Sequence, residues 1–339
     1  VSVTSIEWTD RTWNPVRGCS RVSEGCDNCY AMHQARRFWQ PGQSYAGLTR
    51  YAERRGVDWT GVVRLVPDQL DTPLRWRKPQ KIFVNSMSDL FHEALSGDAI
   101  AAVFGIMACS PQHTFQILTK RPDRMRQWSL GMQEHHRMHM SRALAAAPVT
   151  YPRALEVPAG WPLPNVWLGV SVEDKATADE RIPLLLRTPA AVRFVSYEPA
   201  LGPVDFLRWL QPLVDSSVER TPRLDQIIVG GESGPGARPF NVAWVRSVVR
   251  QCRPVGCAAF CKQLGARPFD GYLSPVELVG SGKGRPRPVG QPLTEAMATE
   301  ALSALPVAKA VPRFLQLRDR KGGDMAEWPE DLRVREFPA

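Results

Sequence analysis

Cys19, Cys26 and Cys29 are spaced C-x6-C-x2-C, and Gly18 and Gly25 each stand directly before a cysteine. Thiolates are soft ligands that select zinc, copper(I) or iron-sulfur centres, and a C-x2-C pair lets two sulfurs reach one centre from a single turn. A structural zinc site takes four ligands, normally with a second pair of Cys or His. His33, four residues after Cys29, makes C-x2-C-x3-H a zinc alternative if it lies on the helix that starts near Cys29. Three thiolates without a fourth ligand suit a [4Fe-4S] cluster instead, with one iron left open to a small molecule.

The elements that must position this loop are legible as a repeat. Residues 5 to 13 read as a first strand feeding the loop, and Tyr30 to Trp39 as a helix ended by Pro41-Gly42. From residue 81 onward, short apolar runs rich in β-branched residues alternate with amphipathic helical stretches. The runs are Lys81 to Asn85, Thr114 to Thr119, Val166 to Val172, Val192 to Tyr197, Ile227 to Val229 and Ala258 to Cys261; helices are expected around Asp98 to Ala108 and from Asp123. Such alternation implies parallel strands joined by right-handed crossovers. The expected fold is therefore α/β, a parallel (β/α) barrel or partial barrel of about six to seven strand-helix units, with inserted helical segments and a C-terminal appendage.

In a parallel barrel, chemistry gathers at the C-terminal ends of the strands. Those ends carry Asn85, Ser86, Ser88 and Asp89, then Thr119 and Lys120, Ser171 and Glu173, Ser196 and Glu198, Glu232 and Ser233, and Lys262 and Gln263. Any one polar strand end is explained by the loop that follows it, but six in succession suggest a site. Cys252, Cys257 and Cys261 are small, apolar core candidates, with a second cluster as the alternative.

Residues 1–268 are expected to form the barrel, with insertions at 41–62 and 129–164, followed by a basic loop and appendage at 269–339. The first insertion holds Tyr45, Arg50, Tyr51, Arg54, Arg55 and Trp59, a basic, aromatic stretch on the substrate side or a solvated loop or helix. The second holds His135, His136 and His139 among methionines, read as a solvated helix with metal binding as the alternative. Gly280 to Pro288 is a basic loop without phosphate-loop spacing, and Trp328 is expected to pack the tail.

The chain has 339 residues, 43% of them hydrophobic and 23% charged, enough to bury a sizeable core. Its formal charge of +9 makes nucleic acid the first partner to consider. Seven cysteines in an odd, bunched arrangement do not read as a disulfide framework. No apolar run approaches the ~20 residues of a membrane span, and Val1 to Thr4 lack signal-peptide character. These features predict a cytoplasmic protein that does not enter the membrane.

The three-cysteine loop ending in C-x2-C-Tyr, followed by strand-helix units, resembles the radical S-adenosylmethionine enzymes, whose usual spacing is C-x3-C-x2-C. More closely, the chain resembles a phage and prophage family known for its three-cysteine motif. The matching stretches are Ile6 to Asp10, Trp13 to Tyr30, Phe83 to Phe91, Leu118 to Pro122, Trp167 to Glu173, Gly230 to Gly234 and Phe260 to Gln263. The resemblance implies an enzyme with a [4Fe-4S] cluster on Cys19, Cys26 and Cys29 that cleaves S-adenosylmethionine to a 5'-deoxyadenosyl radical. It places Ser86, Ser88 and Asp89 on the methionyl amine, and Lys120, Ser171, Glu173 and Glu198 around the rest of the cofactor. Cys261, Lys262 and Glu232 are the substrate-side candidates, Cys261 as a hydrogen donor to a product radical. The implied substrate is a nucleobase, such as a modified thymine in phage DNA, and the implied electron donor is of flavodoxin or ferredoxin type. Two other readings stay open: a nucleic-acid-binding protein with zinc on Cys19, Cys26, Cys29 and His33, and a barrel hydrolase using Asp89, Glu173 and Glu232.

Overall fold

A computed structural model describes residues 4–53, 56–151, 155–210, 222–271 and 313–338. Arg54, Arg55 and the basic loop from Gly280 to Pro288 lie outside the described residues. The strands in chain order are β1 (Arg11–Trp13), β2 (Val16–Arg17), β3 (Thr49–Ala52), β4 (Gly56–Trp59), β5 (Arg64–Leu65), β6 (Lys81–Val84), β7 (Thr114–Thr119), β8 (Val166–Val172), β9 (Val192–Tyr197), β10 (Gln226–Gly230), β11 (Phe240–Asn241), β12 (Ala258–Gln263), β13 (Pro268–Asp270) and β14 (Arg313–Phe314). The helices are α1 (Tyr30–Arg36), α2 (Pro67–Leu70), α3 (Gly97–Ala108), α4 (Pro122–Gly131), α5 (His136–Ala146), α6 (Lys175–Leu186), α7 (Leu207–Leu210) and α8 (Val242–Cys252).

Seven strands form one parallel sheet in the order β1-β6-β7-β8-β9-β10-β12, curled into a half-barrel with helices on its outer face. The two-residue period of a strand assigns the faces. Along β8, Val166, Leu168, Val170 and Val172 join the core under the helices. Trp167, Gly169 and Ser171 alternate with them and face the concave side, where an added Cβ on Gly169 would lie 2.5 Å from the Phe194 ring. Phe83, Phe194, Ile228 and Phe260 fill that concave side with Trp8.

Local chemistry fixes where the outer helices start. Ser96 caps α3 by accepting from the Ala99 amide at 3.2 Å, and Asp174 opens α6 with a capping box shared with Thr177. The same Thr177 hydroxyl accepts from the Glu173 amide at 2.9 Å, so the cap also pins the end of β8.

Three expectations change. The first strand is only Arg11–Trp13, because the chain turns at residues 7–8 and sends Trp8 inward, with ring centroids 4.6 Å from Phe83 and 6.1 Å from Phe194. The first insertion is neither loop nor helix: β3 and β4 pair antiparallel as a hairpin that packs on α1, burying Trp59 and leaving Tyr51 exposed. The second insertion supplies α5, which packs on α3 on the outer side. His136 is buried there and stacked on Trp161 at 5.6 Å, while His135 is exposed and His139 half-buried.

The tail buries Trp328 and runs along the last strand. The Cys261 amide donates to Val334 O at 2.7 Å and the Glu336 amide to Ala259 O at 2.9 Å, so the edge of β12 is covered. No helix among the described residues is long and apolar enough to cross a membrane.

Candidate functional site

The three cysteines converge on a cavity of about 260 Å³ at the C-terminal rim of the half-barrel, which all three line. All are free thiols. Gly18 sets the entry of the loop. Its φ of +90° is one that side chains rarely adopt, and a Cβ would meet the Val62 carbonyl at 2.0 Å. Gly25 makes a second close approach, where a Cβ would lie 2.4 Å from Glu173 Oε1. Burial, with Asp89 nearby, pushes the Cys19 thiol up to about 12, and burial also raises Cys29. Thiols desolvated in this way become thiolates only beside a compensating cation or metal.

Much of the polar rim holds the loop in place. Ser23 Oγ donates to Glu173 Oε1 at 2.9 Å, and Asn28 Nδ2 donates to Glu232 Oε2 at 2.9 Å. Arg121 Nη2 donates to Ser20 Oγ at 2.7 Å while its Nη1 pairs with Asp89 at 3.0 Å and its Nε with Glu93 at 2.9 Å. Arg21 ties the loop to the first insertion, joining Asp58 at 2.8 Å as well as Asp27 at 3.0 Å and the Cys26 carbonyl at 2.9 Å. Tyr30 Oη donates to the Ser86 carbonyl at 2.5 Å. These bonds fix the loop that carries the sulfurs at the rim of the cavity.

The strand-end residues divide by what their polar atoms already hold. Ser86, Ser88 and Asp89 all line the cavity, yet each is engaged. Ser88 Oγ donates to Val16 O at 2.8 Å, and Ser86 Oγ to Asn14 Oδ1 at 3.2 Å. Asp89 accepts from Thr119 Oγ1 at 2.8 Å and from the Phe91 amide at 2.9 Å besides Arg121. These bonds brace the loop against β6 and β7, while the donating hydroxyls of Ser86 and Ser88 keep lone pairs that can still accept from a ligand.

Glu173 accepts from Lys120 Nζ at 2.7 Å and Arg181 Nη1 at 3.1 Å. Burial works against its charge, but the two cations outweigh burial and hold the carboxyl below the usual range. Lys120 Nζ also donates to Ser171 Oγ at 2.5 Å. Glu232 is likewise held low, against burial, by Arg238, whose Nη2 lies 2.7 Å from Oε1. With Arg238 and Asn28 on its oxygens, Glu232 positions the loop and is not available as a catalytic group. Glu198 pairs with Lys262 at 2.7 Å and accepts from Gln263 Nε2 at 3.1 Å, and all three line the cavity.

Cys261 does not reach the cavity. Phe260 faces the concave side and Lys262 lines the cavity, so Cys261 between them points into the core under the helices, where burial raises its thiol. It is not placed to return hydrogen to a substrate. Cys252 and Cys257 are buried in the same core. Among the described residues, no three His, Cys, Asp or Glu side chains come close enough to hold a single metal ion, and His33 is exposed on α1.

Several participants carried no sequence signal of their own. Arg21, Arg121, Arg181 and Arg238 look like ordinary basic residues until folding places a carboxylate beside each. Asn85 is another. Its φ is +61°, its Oδ1 accepts from the Val16 amide at 3.3 Å, and its Nδ2 is buried on the cavity wall with no partner among the described residues.

No curated protein and no solved structure matches the chain. Residues 3–303 match a family described as proteins of unknown function, DUF5131. With that match covering most of its length, the chain belongs to the DUF5131 family.

Proposed function

We propose that the chain is a radical S-adenosylmethionine enzyme in which Cys19, Cys26 and Cys29 would hold a [4Fe-4S] cluster. The observation that carries this reading is the meeting of three free thiols with the polar strand ends around one cavity. The donor set fits: three soft ligands on a braced loop, two of which, Cys19 and Cys29, are kept protonated by burial until a metal displaces the proton. A cluster held there would supply the one-electron chemistry for reductive cleavage of S-adenosylmethionine and hydrogen abstraction from an unactivated carbon.

The chain's own residues then bind and orient. Lys120 presents a cation to the cavity beside the Ser171 hydroxyl, a pair suited to a carboxylate and a ribose. The unpartnered Asn85 amide offers a hydrogen bond to a carbonyl or carboxylate oxygen. Lys262, held by Glu198, offers a second cation. Trp8, Phe83 and Leu118 line the same cavity with apolar surface, which keeps water from the reacting centre. The substrate we propose is a nucleobase in nucleic acid or in a nucleotide, in keeping with the +9 charge, and the electron donor is of flavodoxin or ferredoxin type. Likeness to phage three-cysteine-motif proteins supports the same reading.

The hydrolase alternative loses its base, because Asp89, Glu173 and Glu232 are each paired with an arginine. The zinc alternative asks for His33, whose side chain is exposed. Anaerobic reconstitution with iron and sulfide, then reduction with dithionite and addition of S-adenosylmethionine, tests the proposal. Iron uptake with formation of 5'-deoxyadenosine, both lost in Cys26→Ala, is the expected result. Stoichiometric zinc without iron uptake or cleavage would overturn it in favour of a zinc module.

A further inference from the structure

We infer that α1 and the β3–β4 hairpin form a docking platform for single-stranded nucleic acid, leading strand bases toward the cavity. This deepens the proposed function and rests on it for the substrate, though not for the binding itself. Of the eleven large hydrophobic side chains exposed among the described residues, six lie between Val22 and Val62. Tyr30, Phe38, Trp39 and Tyr51 are the aromatic ones, and Tyr51 is 71% exposed. Protein interiors absorb such rings when they can, so this concentration marks a contact surface.

Charge and position favour a polyanion with accessible bases. The described residues from 17 to 64 contain six arginines against four acids, and two of those acids, Asp27 and Asp58, are taken by Arg21. Five arginines therefore stand against Glu24 and Glu53. The Arg36 guanidinium lies 3.8 Å from the Trp39 ring centroid, which orders the indole as a flat face. The surface is continuous with the cavity, because Val22, Tyr30 and Trp59 line it. Along the hairpin, Tyr51 sits on the same face as Trp59 by the two-residue period. A duplex hides its base faces and would meet only the arginines, whereas an unpaired strand can stack on the rings and neutralise its phosphates at once.

The test is fluorescence anisotropy with the full chain as purified, without added iron or S-adenosylmethionine. The probes are a labelled oligothymidylate of about 16 nucleotides, near the upper site size for one binding module, with the matching oligouridylate and a duplex of the same length. Tighter binding of one or both single strands than of the duplex is expected, and the two strands separate a DNA substrate from an RNA one. Trp39→Ala and Tyr51→Ala should each weaken binding by roughly 5-fold or more, the effect of losing one base stack. Met138→Ala, another exposed apolar side chain, should leave it unchanged. Arg50→Gln should reduce the slope of log affinity against log salt by about 0.7.

Equal affinity for duplex and single strand, or no effect of the aromatic substitutions, would overturn the inference. So would a self-association that Tyr51→Ala abolishes, which would assign the face to a second copy, or binding to anionic vesicles in place of the oligonucleotides. Single-strand binding without S-adenosylmethionine cleavage would leave the platform and remove the radical chemistry. Cleavage without strand binding would do the reverse.

Discussion

Glu173→Gln is the most informative single change. Glu173 and Arg181 both have side chains 2% exposed, and Lys120 is 17% exposed. The substitution keeps the shape of the side chain and removes the charge that two cations face. Breaking a buried pair from one side costs about 3–5 kcal/mol, because the remaining charge stays desolvated. Arg181 keeps a bond from Nη1 to the Ser171 carbonyl at 2.6 Å, and Lys120 can turn into the cavity, so the lower end, about 3 kcal/mol, is expected. At roughly 2 °C per kcal/mol for a chain of this size, thermal unfolding should fall by about 6 °C. A second readout separates anchoring from bulk stability. Ser23 and Gly25 both rest on Glu173, so alkylation of Cys26 in the metal-free protein should accelerate in the variant at temperatures well below its transition. A melting point within about 1 °C of the parent, with unchanged alkylation, would refute the claim that Glu173 anchors the cysteine loop.

Other substitutions probe the same architecture. Gly18→Ala forces a side chain onto a φ of +90° and against the Val62 carbonyl, so it should cost about 2 kcal/mol or more, read by denaturation, and should raise the labelling rate of Cys19. Gly169→Ala drives a methyl into the Phe194 ring and should cost about 1–3 kcal/mol by overpacking, without altering cysteine labelling. Glu173 and Glu232 both have carboxyls held below their ordinary range. Their stabilisation is fully present above the unfolded-state value near ~4.3 and is lost as pH falls through the folded values. Unfolding followed from pH 6 downward should therefore show stability dropping below about pH 4.3, and the drop should be shallower in Glu173→Gln.

The strands of the half-barrel were legible because a parallel sheet covered on both faces needs short apolar runs between helices. Thr114–Thr119, Val166–Val172 and Val192–Tyr197 follow directly from that composition. The hairpin was not legible, since Arg50, Tyr51 and Asp58 alternate without an apolar face that sequence alone can recognise; its packing comes from α1. The ion pairs were hidden for another reason. Asp89 and Arg121 are 32 residues apart, and only the pairing of β6 with β7 makes them neighbours. Cys261 reads from the sequence as one more strand-end group, but it stands between Phe260 and Lys262 and packs under the helices. The register of β12 shifts just after it, so strand position alone does not say which of these end residues reach the cavity.

The conspicuous polar residues of this fold are therefore of two kinds, and only their bonding tells them apart. Ser88, Asp89 and Glu232 use their oxygens to hold the cysteine loop, so changing them should act on the position of the sulfurs first and on any ligand second. Lys120, Asn85 and Lys262 line the same cavity with N–H donors beyond those their own bonds use. The open side of the half-barrel bears on both groups. Trp8 packs against Phe83 and Phe194 from within, and Phe337 near the other end of the chain meets Phe260 at 5.3 Å and Lys81 Nζ at 3.7 Å. Phe337 thus links the last strand of the sheet to β6, beside the first. A sheet that ended in two unconnected edges could change its curl, and every tie from the strand ends to the loop depends on that curl. With Trp8 and Phe337 bridging the gap, the curvature is fixed by packing at the closed end, while the cavity end is left to the cysteines and the donors that face them.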